Sequence, residues 1–310
     1  MEVILIGKTD YAGKIAETLP TSSFIEIEEK IFPDGEVCPR LLITKENQLR
    51  GSHAIIAMQL NSDQPKNQYL ISLIWTIYNV KRYNPSKISC ILPYHLYSRQ
   101  DRESRTGEPI SSYYLAFTFE AAGINSFVTF NSHTHGKLDI NQFFTKSQAY
   151  DLSAIPLLGK ALKSHLSSPE DSICLAPDEG ALLLAKQAAE AMNTPNFSAI
   201  QKHRDPETGN ISQKLGEVPF EIKGNSVVII DDLVSSGKTM IGAAQIAKDH
   251  GAKEVVFAYV HAVHSASGLL EMQKVNPTLI LTTDTIKTNF SSLSKISIIP
   301  LIATWIKQNS

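Results

Sequence analysis

VVIIDDLVSSGKTM (227–240) is the stretch that decides the fold. Apolar residues run into two adjacent carboxylates, Asp231 and Asp232, which end the strand. A Ser235-Ser236-Gly237 turn and a helix starting near Thr239 follow. A short strand with apolar residues on both faces belongs inside a parallel sheet. In open α/β sheets ligands collect beyond the carboxyl ends of the strands. The free N–H groups of a Gly turn and of a helix start favour phosphate, and two carboxylates beside them suit sugar hydroxyls or a Mg²⁺ ion. A Walker A loop is excluded: Gly237-Lys238-Thr239 matches its end, but the Gly required five positions before Gly237 is Asp232. Two acids closing an apolar strand also argue against an ordinary surface corner.

Outward from this segment the same alternation repeats. VILIG (3–7), HAIIAMQL (53–60), KISCILPY (87–94), SFVTF (126–130), SICLAP (172–177), EVVFAYV (254–260) and LILTTD (279–284) read as further buried strands. Between them lie helical patterns: Asn67 to Tyr83, with Leu70, Leu73, Ile74, Ile77 and Tyr78 at 3.6-residue spacing, and Ser111 to Ala122, Ala181 to Met192, Thr239 to His250. Strand and helix in alternation predict an α/β fold with largely parallel sheets. The strands fall into one group ending near Phe130 and another starting near Ser172. A helix over Leu152 to His165 is expected to open the second half, so the domains are 1–150 and 151–310. A last helix, Pro300 to Gln308, packs on either half. Lys202 to Pro219 is polar with Gly and Pro, a β-hairpin or a mobile loop.

The 310 residues have a net charge of −2, with 43% hydrophobic residues. That composition fits a globular chain with a substantial core and gives no global electrostatic case for nucleic acid or an anionic membrane. Cys38, Cys90 and Cys174 lie far apart without a CxxC, as expected of idle thiols in a reducing compartment. No stretch approaches the roughly 18 apolar residues of a membrane span, and the expected location is cytoplasmic.

Several segments, in order, resemble the ribose-phosphate diphosphokinases (phosphoribosyl-pyrophosphate synthetases). Asp231-Asp232 with Ser236-Gly237 and Thr239 is similar to that family's ribose-phosphate loop. Phe32-Pro33-Asp34-Gly35-Glu36 resembles its Phe-x-Asp-Gly-Glu segment, and Pro93-Tyr94 with Tyr97 to Arg102 its Pro-Tyr…Tyr-Ala-Arg-Gln-Asp-Arg run. Glu108-Pro109-Ile110-Ser111, Pro177-Asp178-x-Gly180 and Lys202-His203-Arg204 follow. The resemblance implies two similar phosphoribosyltransferase-like domains sharing one active site in a homo-oligomer, with ATP and ribose 5-phosphate as substrates and Mg²⁺ as cofactor. Phe32, Asp34 and Glu36 would grip the adenine of ATP bound to a neighbouring subunit, and Arg99, Gln100 and Asp101 would contact the nucleotide. Asp231, Asp232 and Ser235 to Thr239 (Ser235, Ser236, Gly237, Lys238, Thr239) would hold ribose 5-phosphate. His133 and Asp178 would serve the metal. Lys202 and Arg204 would be the catalytic cations of a mobile loop.

The chain departs from the pattern in three places. Asp-Leu-His becomes Asn131-Ser132-His133, with His135 as a second candidate ligand. The acid before the family's Thr-Gly-Gly-Thr becomes Ser235, and Lys238 adds a cation. The changes at Asn131, Ser132 and Ser235 motivate one rival, a non-catalytic relative that assembles with active synthetases. A phosphoribosyltransferase is a second rival, supported only by the loop at 231–239.

Overall fold

The computed structural model describes residues 1–133, 139–204, 211–216, 218 and 220–310, and of 202–204 and 211–214 the backbone alone. It divides into two units, Met1–Leu152 with Ile298–Ser310, and Ser153–Ser297.

The first unit carries β1 (Val3–Gly7), α1 (Lys14–Glu17), β2 (Ser22–Ile31), β3 (Val37–Leu41), β4 (His53–Ala57), β5 (Leu60–Asn61), α2 (Lys66–Lys81), β6 (Lys87–Ile91), α3 (Ser111–Ala122), β7 (Ser126–Phe130) and β8 (Gln148–Leu152). Its seven-stranded sheet has the order β3-β2-β1-β4-β6-β7-β8. Only β2 and β3 pair antiparallel. β1, β4 and β7 are buried along their whole length, as strands covered on both faces must be. β8 was not expected from the sequence, and it moves the end of the first strand group from Phe130 to Leu152.

The second unit carries α4 (Ile155–Leu162), β9 (Ile173–Ala176), α5 (Leu182–Met192), β10 (Phe197–Arg204), β11 (Ile211–Leu215), β12 (Ser226–Val234), α6 (Lys238–Asp249), β13 (Glu254–Ala262), α7 (Ala266–Lys274), β14 (Leu279–Thr283), β15 (Ile286–Lys287) and β16 (Ser294–Ile296). Its sheet order is β11-β10-β9-β12-β13-β14-β16. Again all neighbours are parallel except the β10–β11 pair. Ile173, Leu175, Val227, Ile229, Val255 and Phe257 pack its centre, with Met240, Ala243 and Ala247 of α6 laid on them.

The last helix, α8 (Ile299–Asn309), belongs to the first unit. Trp305 is buried edge-on to Tyr150 at 5.3 Å, and Lys87 Nζ donates to Asn309 O at 2.7 Å. The helix expected over Leu152 to His165 is shorter, because Leu152 still belongs to β8. On α2 the buried face is Tyr69, Ser72, Leu73, Thr76, Ile77 and Val80, while Tyr78 is exposed. Ser72 and Thr76 are tolerated inside because Ser72 donates to Glu29 and Thr76 to Ser72 O. All three cysteines are free, and burial pushes the Cys90 and Cys174 thiols up to about 12. No helix among the described residues is long and apolar enough to cross a membrane.

Candidate active site

β12 does not stop at its acid pair. It runs on through Asp231 and Asp232 to Val234, pairing Asp231 with Tyr259 and Val234 with Ala262 of β13. Leu233 and Val234 are buried and apolar, which keeps the ladder going and corrects the expected strand end. Asp231 is partly exposed, Asp232 is buried, and Asp232 N donates to Asp231 Oδ1 at 2.9 Å. Burial, then the Asp232 charge, with a contribution from Asp178, pushes the Asp231 carboxyl well above the usual carboxylate range. Such crowding is relieved by hydroxyl donors or by a cation.

Asp178 follows β9, the strand beside β12, and accepts from Gly180 N at 3.0 Å to cap the turn Glu179–Ala181. Chain order reverses between β9 and β12, so Asp178, the acid pair and residues 235–239 gather at a topological switch point, where such sheets bind ligands.

The turn into α6 is built around Gly237. Its φ is +76°, and a Cβ there would lie 2.5 Å from Met272 Cγ, so only glycine fits. Ser235, Ser236 and Lys238 are exposed. Lys238 opens the twelve-residue α6, whose first N–H groups have no intrahelical partner. α7 braces this turn from behind: Ser265 Oγ caps it by accepting Gly268 N at 3.3 Å, and a Cβ on Gly268 would meet Ser235 O at 3.2 Å. The sequence reading missed α7, although Ser265 three residues before Gly268, followed by Leu269 and Met272, is a helix-start signal.

Lys202 and Arg204 end β10. That strand pairs with β9 only over Phe197–Ala199, then with β11, Lys202 opposite Gln213 and Arg204 opposite Ile211. The flanks of the 202–219 segment are therefore hairpin strands. The side chains of Lys202 and Arg204 lie outside the described residues.

In the first unit, Phe32 to Glu36 form the tight turn joining β2 to β3. Phe32 N donates to Glu36 O at 2.8 Å, Gly35 N to Phe32 O at 2.9 Å and Glu36 N to Asp34 Oδ1 at 3.1 Å. The Phe32 ring is exposed, with Lys30 Nζ 4.6 Å from its centroid. Arg99, Gln100 and Asp101 sit on the long connection after β6. Tyr97, at φ +61°, turns the chain; its carbonyl accepts from Gln100 N at 2.9 Å and Ser112 Oγ at 2.8 Å. Arg99 is exposed and Asp101 partly buried, 3.9 Å from the Arg102 guanidinium. Glu108 accepts from Arg105 N at 3.2 Å and holds this connection in shape.

His133 follows β7 in a left-handed conformation, φ +61°. The preceding Ser132 is buried and donates to Asp151 of β8 through N, at 3.1 Å, and Oγ, at 2.6 Å. The departure from Asp-Leu-His thus places a hydrogen-bonding residue where it anchors the loop to the next strand. His135 lies outside the described residues. Among the described residues no group of three or more His, Cys, Asp or Glu side chains is arranged to hold a metal ion. The fit to a divalent cation rests on the charge crowding around Asp231. Mg²⁺ is usually bound by one or two carboxylates with substrate phosphates and water, not by a full protein cage.

Two α/β units of one sheet topology, the second with an acid pair and a glycine turn at its switch point, define a protein of the phosphoribosyltransferase fold type. The family model for the N-terminal domain of ribose phosphate pyrophosphokinase matches residues 4–123, and that for the phosphoribosyl transferase domain residues 157–292. Ribose-phosphate pyrophosphokinase of Saccharolobus solfataricus is 31% identical over 97% of this chain and 99% of its own length. That of Methanothermobacter thermautotrophicus is 30% identical over 96% of each. The chain belongs to the ribose-phosphate pyrophosphokinase family. The crystal structure of phosphoribosylpyrophosphate synthetase from Mycobacterium smegmatis superposes with a TM-score of 0.85 at 26% identity, covering 99% of this chain and 98% of that one.

Proposed function

We propose that this chain transfers the β,γ-diphosphoryl group of ATP to the 1-hydroxyl of ribose 5-phosphate, giving phosphoribosyl pyrophosphate and AMP. The observation that carries the reading is the gathering of Asp178, Asp231, Asp232 and the 235–239 turn at the switch point of the second sheet. Asp231 and Asp232 accept from the ribose hydroxyls and fix the attacking oxygen. The N–H groups of the turn and the first turn of α6, with Lys238, receive the 5-phosphate. Phe32, Asp34 and Glu36 take the base, while Arg99, Gln100 and Asp101 contact the nucleotide, Arg99 through forked bonds to phosphate. Lys202 and Arg204 supply cations to the transferred group, a reaction catalysed chiefly by positioning and preorganised charge. Asp178 and His133 are the residues we assign to Mg²⁺, which when bound neutralises the phosphate charge. The 32–36 turn serves a neighbouring subunit in a homo-oligomer, and the location is cytoplasmic.

AMP release from ATP tests the proposal, with and without ribose 5-phosphate, in the wild type and in Lys202→Ala. AMP formed only with the sugar phosphate, and reduced by roughly 10²–10³-fold in the variant, is expected. A folded protein that releases no AMP under any Mg²⁺ or phosphate condition overturns it.

A further inference from the structure

The turn that opens α6 leans on α7, and a buried polar pair fixes where α7 begins. Tyr259, near the end of β13, and His264, just before α7, are 0% and 2% exposed. Tyr259 Oη lies 2.8 Å from His264 Nε2, so a hydroxyl–imidazole bond spans the three-residue link 263–265 between strand and helix. The His264 ring stacks on Phe290, centroids 5.6 Å apart, and stands edge-on to Tyr259 at 5.7 Å. Burial lowers the pKa of His264 and raises that of Tyr259, so the bond joins two neutral groups. A well-packed apolar pair would stabilise this core equally well. What the polar pair adds is direction: the bond fixes the orientation of the His264 side chain.

That orientation reaches the turn through Gly268. A Cβ on Gly268 would lie 3.2 Å from Ser235 O, 3.6 Å from Ser236 O and 3.4 Å from His264 Cβ, so the α7 backbone is wedged between turn and histidine. Gly237 closes the same seam, where its own Cβ would meet Met272 Cγ at 2.5 Å and Gly268 O at 3.4 Å. In a trans peptide the N–H points opposite to the preceding carbonyl. With the Ser235 and Ser236 carbonyls against Gly268, the N–H groups of Ser236 and Gly237 face away from α7. Tyr259 also pairs in register with Asp231, which ties the support of the turn to the strand beside the acid pair.

We infer that Tyr259 and His264 are positioning residues for ribose 5-phosphate: their bond seats the start of α7 against the 235–237 turn and keeps its N–H groups aimed before the sugar phosphate arrives. The inference rests on the reading that residues 235–239 receive the 5-phosphate. Both residues are buried and act through Gly268, not through contact with substrate. Preorganisation lowers the ordering cost of binding, so its loss falls on the KM for the sugar phosphate and not on kcat.

Tyr259→Phe removes the hydroxyl and keeps the ring. Ribose 5-phosphate is titrated calorimetrically, with and without Mg²⁺ and the α,β-methylene analogue of ATP, which cannot release AMP. The variant is expected to bind it roughly three- to tenfold more weakly than the wild type. In AMP release the KM for ribose 5-phosphate is expected to rise by the same factor, while kcat and the KM for ATP change less than about twofold. Tyr259→Phe combined with His264→Leu separates positioning from stability, because replacing both partners by apolar groups leaves neither buried without the other. This double variant is expected to melt close to the wild type yet keep the weakened affinity, and it decides the question alone if Tyr259→Phe fails to fold. Wild-type affinity for ribose 5-phosphate in either folded variant overturns the inference and leaves the sugar-phosphate reading standing. A wild type that binds no ribose 5-phosphate in either condition overturns both.

Discussion

Numbered along each unit, the strands of both sheets have the same order, 3-2-1-4-5-6-7, and in both the third is an antiparallel edge. The loops at matching places differ in chemistry. The hairpin of strands two and three carries Phe32 to Glu36 in the first unit, whereas in the second it carries Lys202 and Arg204. After strand one the first unit has Lys8 and Thr9, and the second has Asp178. Strand four of the first unit, β4, is buried and ends in Ala57; its counterpart β12 carries the acid pair into a glycine turn. One scaffold thus presents an exposed Phe-Pro-Asp-Gly-Glu turn in one unit and an acid pair running into a glycine turn in the other, because loops at the carboxyl edge change without disturbing the sheet beneath.

The comparison breaks most visibly at Gly237, where the second unit needs a left-handed residue against Met272. Gly237→Ala combines backbone strain with overpacking and is expected to cost roughly 2–5 kcal/mol. Thermal unfolding checks the loss, and a raised KM for ribose 5-phosphate with little change for ATP checks its location.

A brace of comparable importance in the first unit is Glu120. It accepts from Thr145 N at 2.8 Å, Lys146 N at 2.6 Å, Ser147 N at 2.8 Å and Thr145 Oγ1 at 2.8 Å, tying the end of α3 to the approach to β8. Partial burial pushes its carboxyl up, but these hydrogen bonds outweigh burial and hold it below the usual range. Its contribution is therefore present above the ordinary glutamate pKa and lost as pH falls through the depressed one. Glu120→Ala is expected to cost about 1–3 kcal/mol, read by thermal melts, with faster amide exchange at 145–147.

What the sequence disclosed follows the same division. Strands buried on both faces, such as VILIG and SFVTF, are legible because continuous apolarity over five residues leaves few alternatives. β2 is not: SSFIEIEEKI mixes charges with apolar residues, and its pairing with β3 is a long-range event. α7 is short and begins near a glycine, and its role against Gly237 exists only across the fold. The acid pair was legible as a motif, yet Asp231's raised pKa comes first from burial in the folded sheet, then from Asp232, with a smaller contribution from Asp178, more than fifty residues earlier.

Asp231 sharpens the contrast between function and stability. A carboxyl whose pKa is raised on folding favours the folded state at low pH, and this advantage is lost as pH rises through the raised value. Asp231→Asn is accordingly expected to stabilise the protein at neutral pH, by about 1 kcal/mol, while AMP release falls. Melts of the two proteins across pH 5 to 8 are expected to converge on the acid side.

The smallest effect concerns the opposite edge of the first sheet. His53 begins β4, its Nε2 lies 2.8 Å from Ser89 Oγ, and it pairs in register with Lys87 of β6. Burial, the Lys87 ammonium and the chain's amino terminus lower its pKa to about 4. The folded protein therefore holds His53 neutral while the unfolded chain protonates near pH 6.5, so stability declines as pH falls from that range towards 4. At neutral pH His53→Gln is expected to unfold close to the wild-type temperature. Its melting temperature is expected to fall less steeply between pH 6.5 and 4. Equal slopes in the two proteins would mean that carboxylates alone govern acid unfolding, and that the amino edge of the sheet carries no pH dependence of its own.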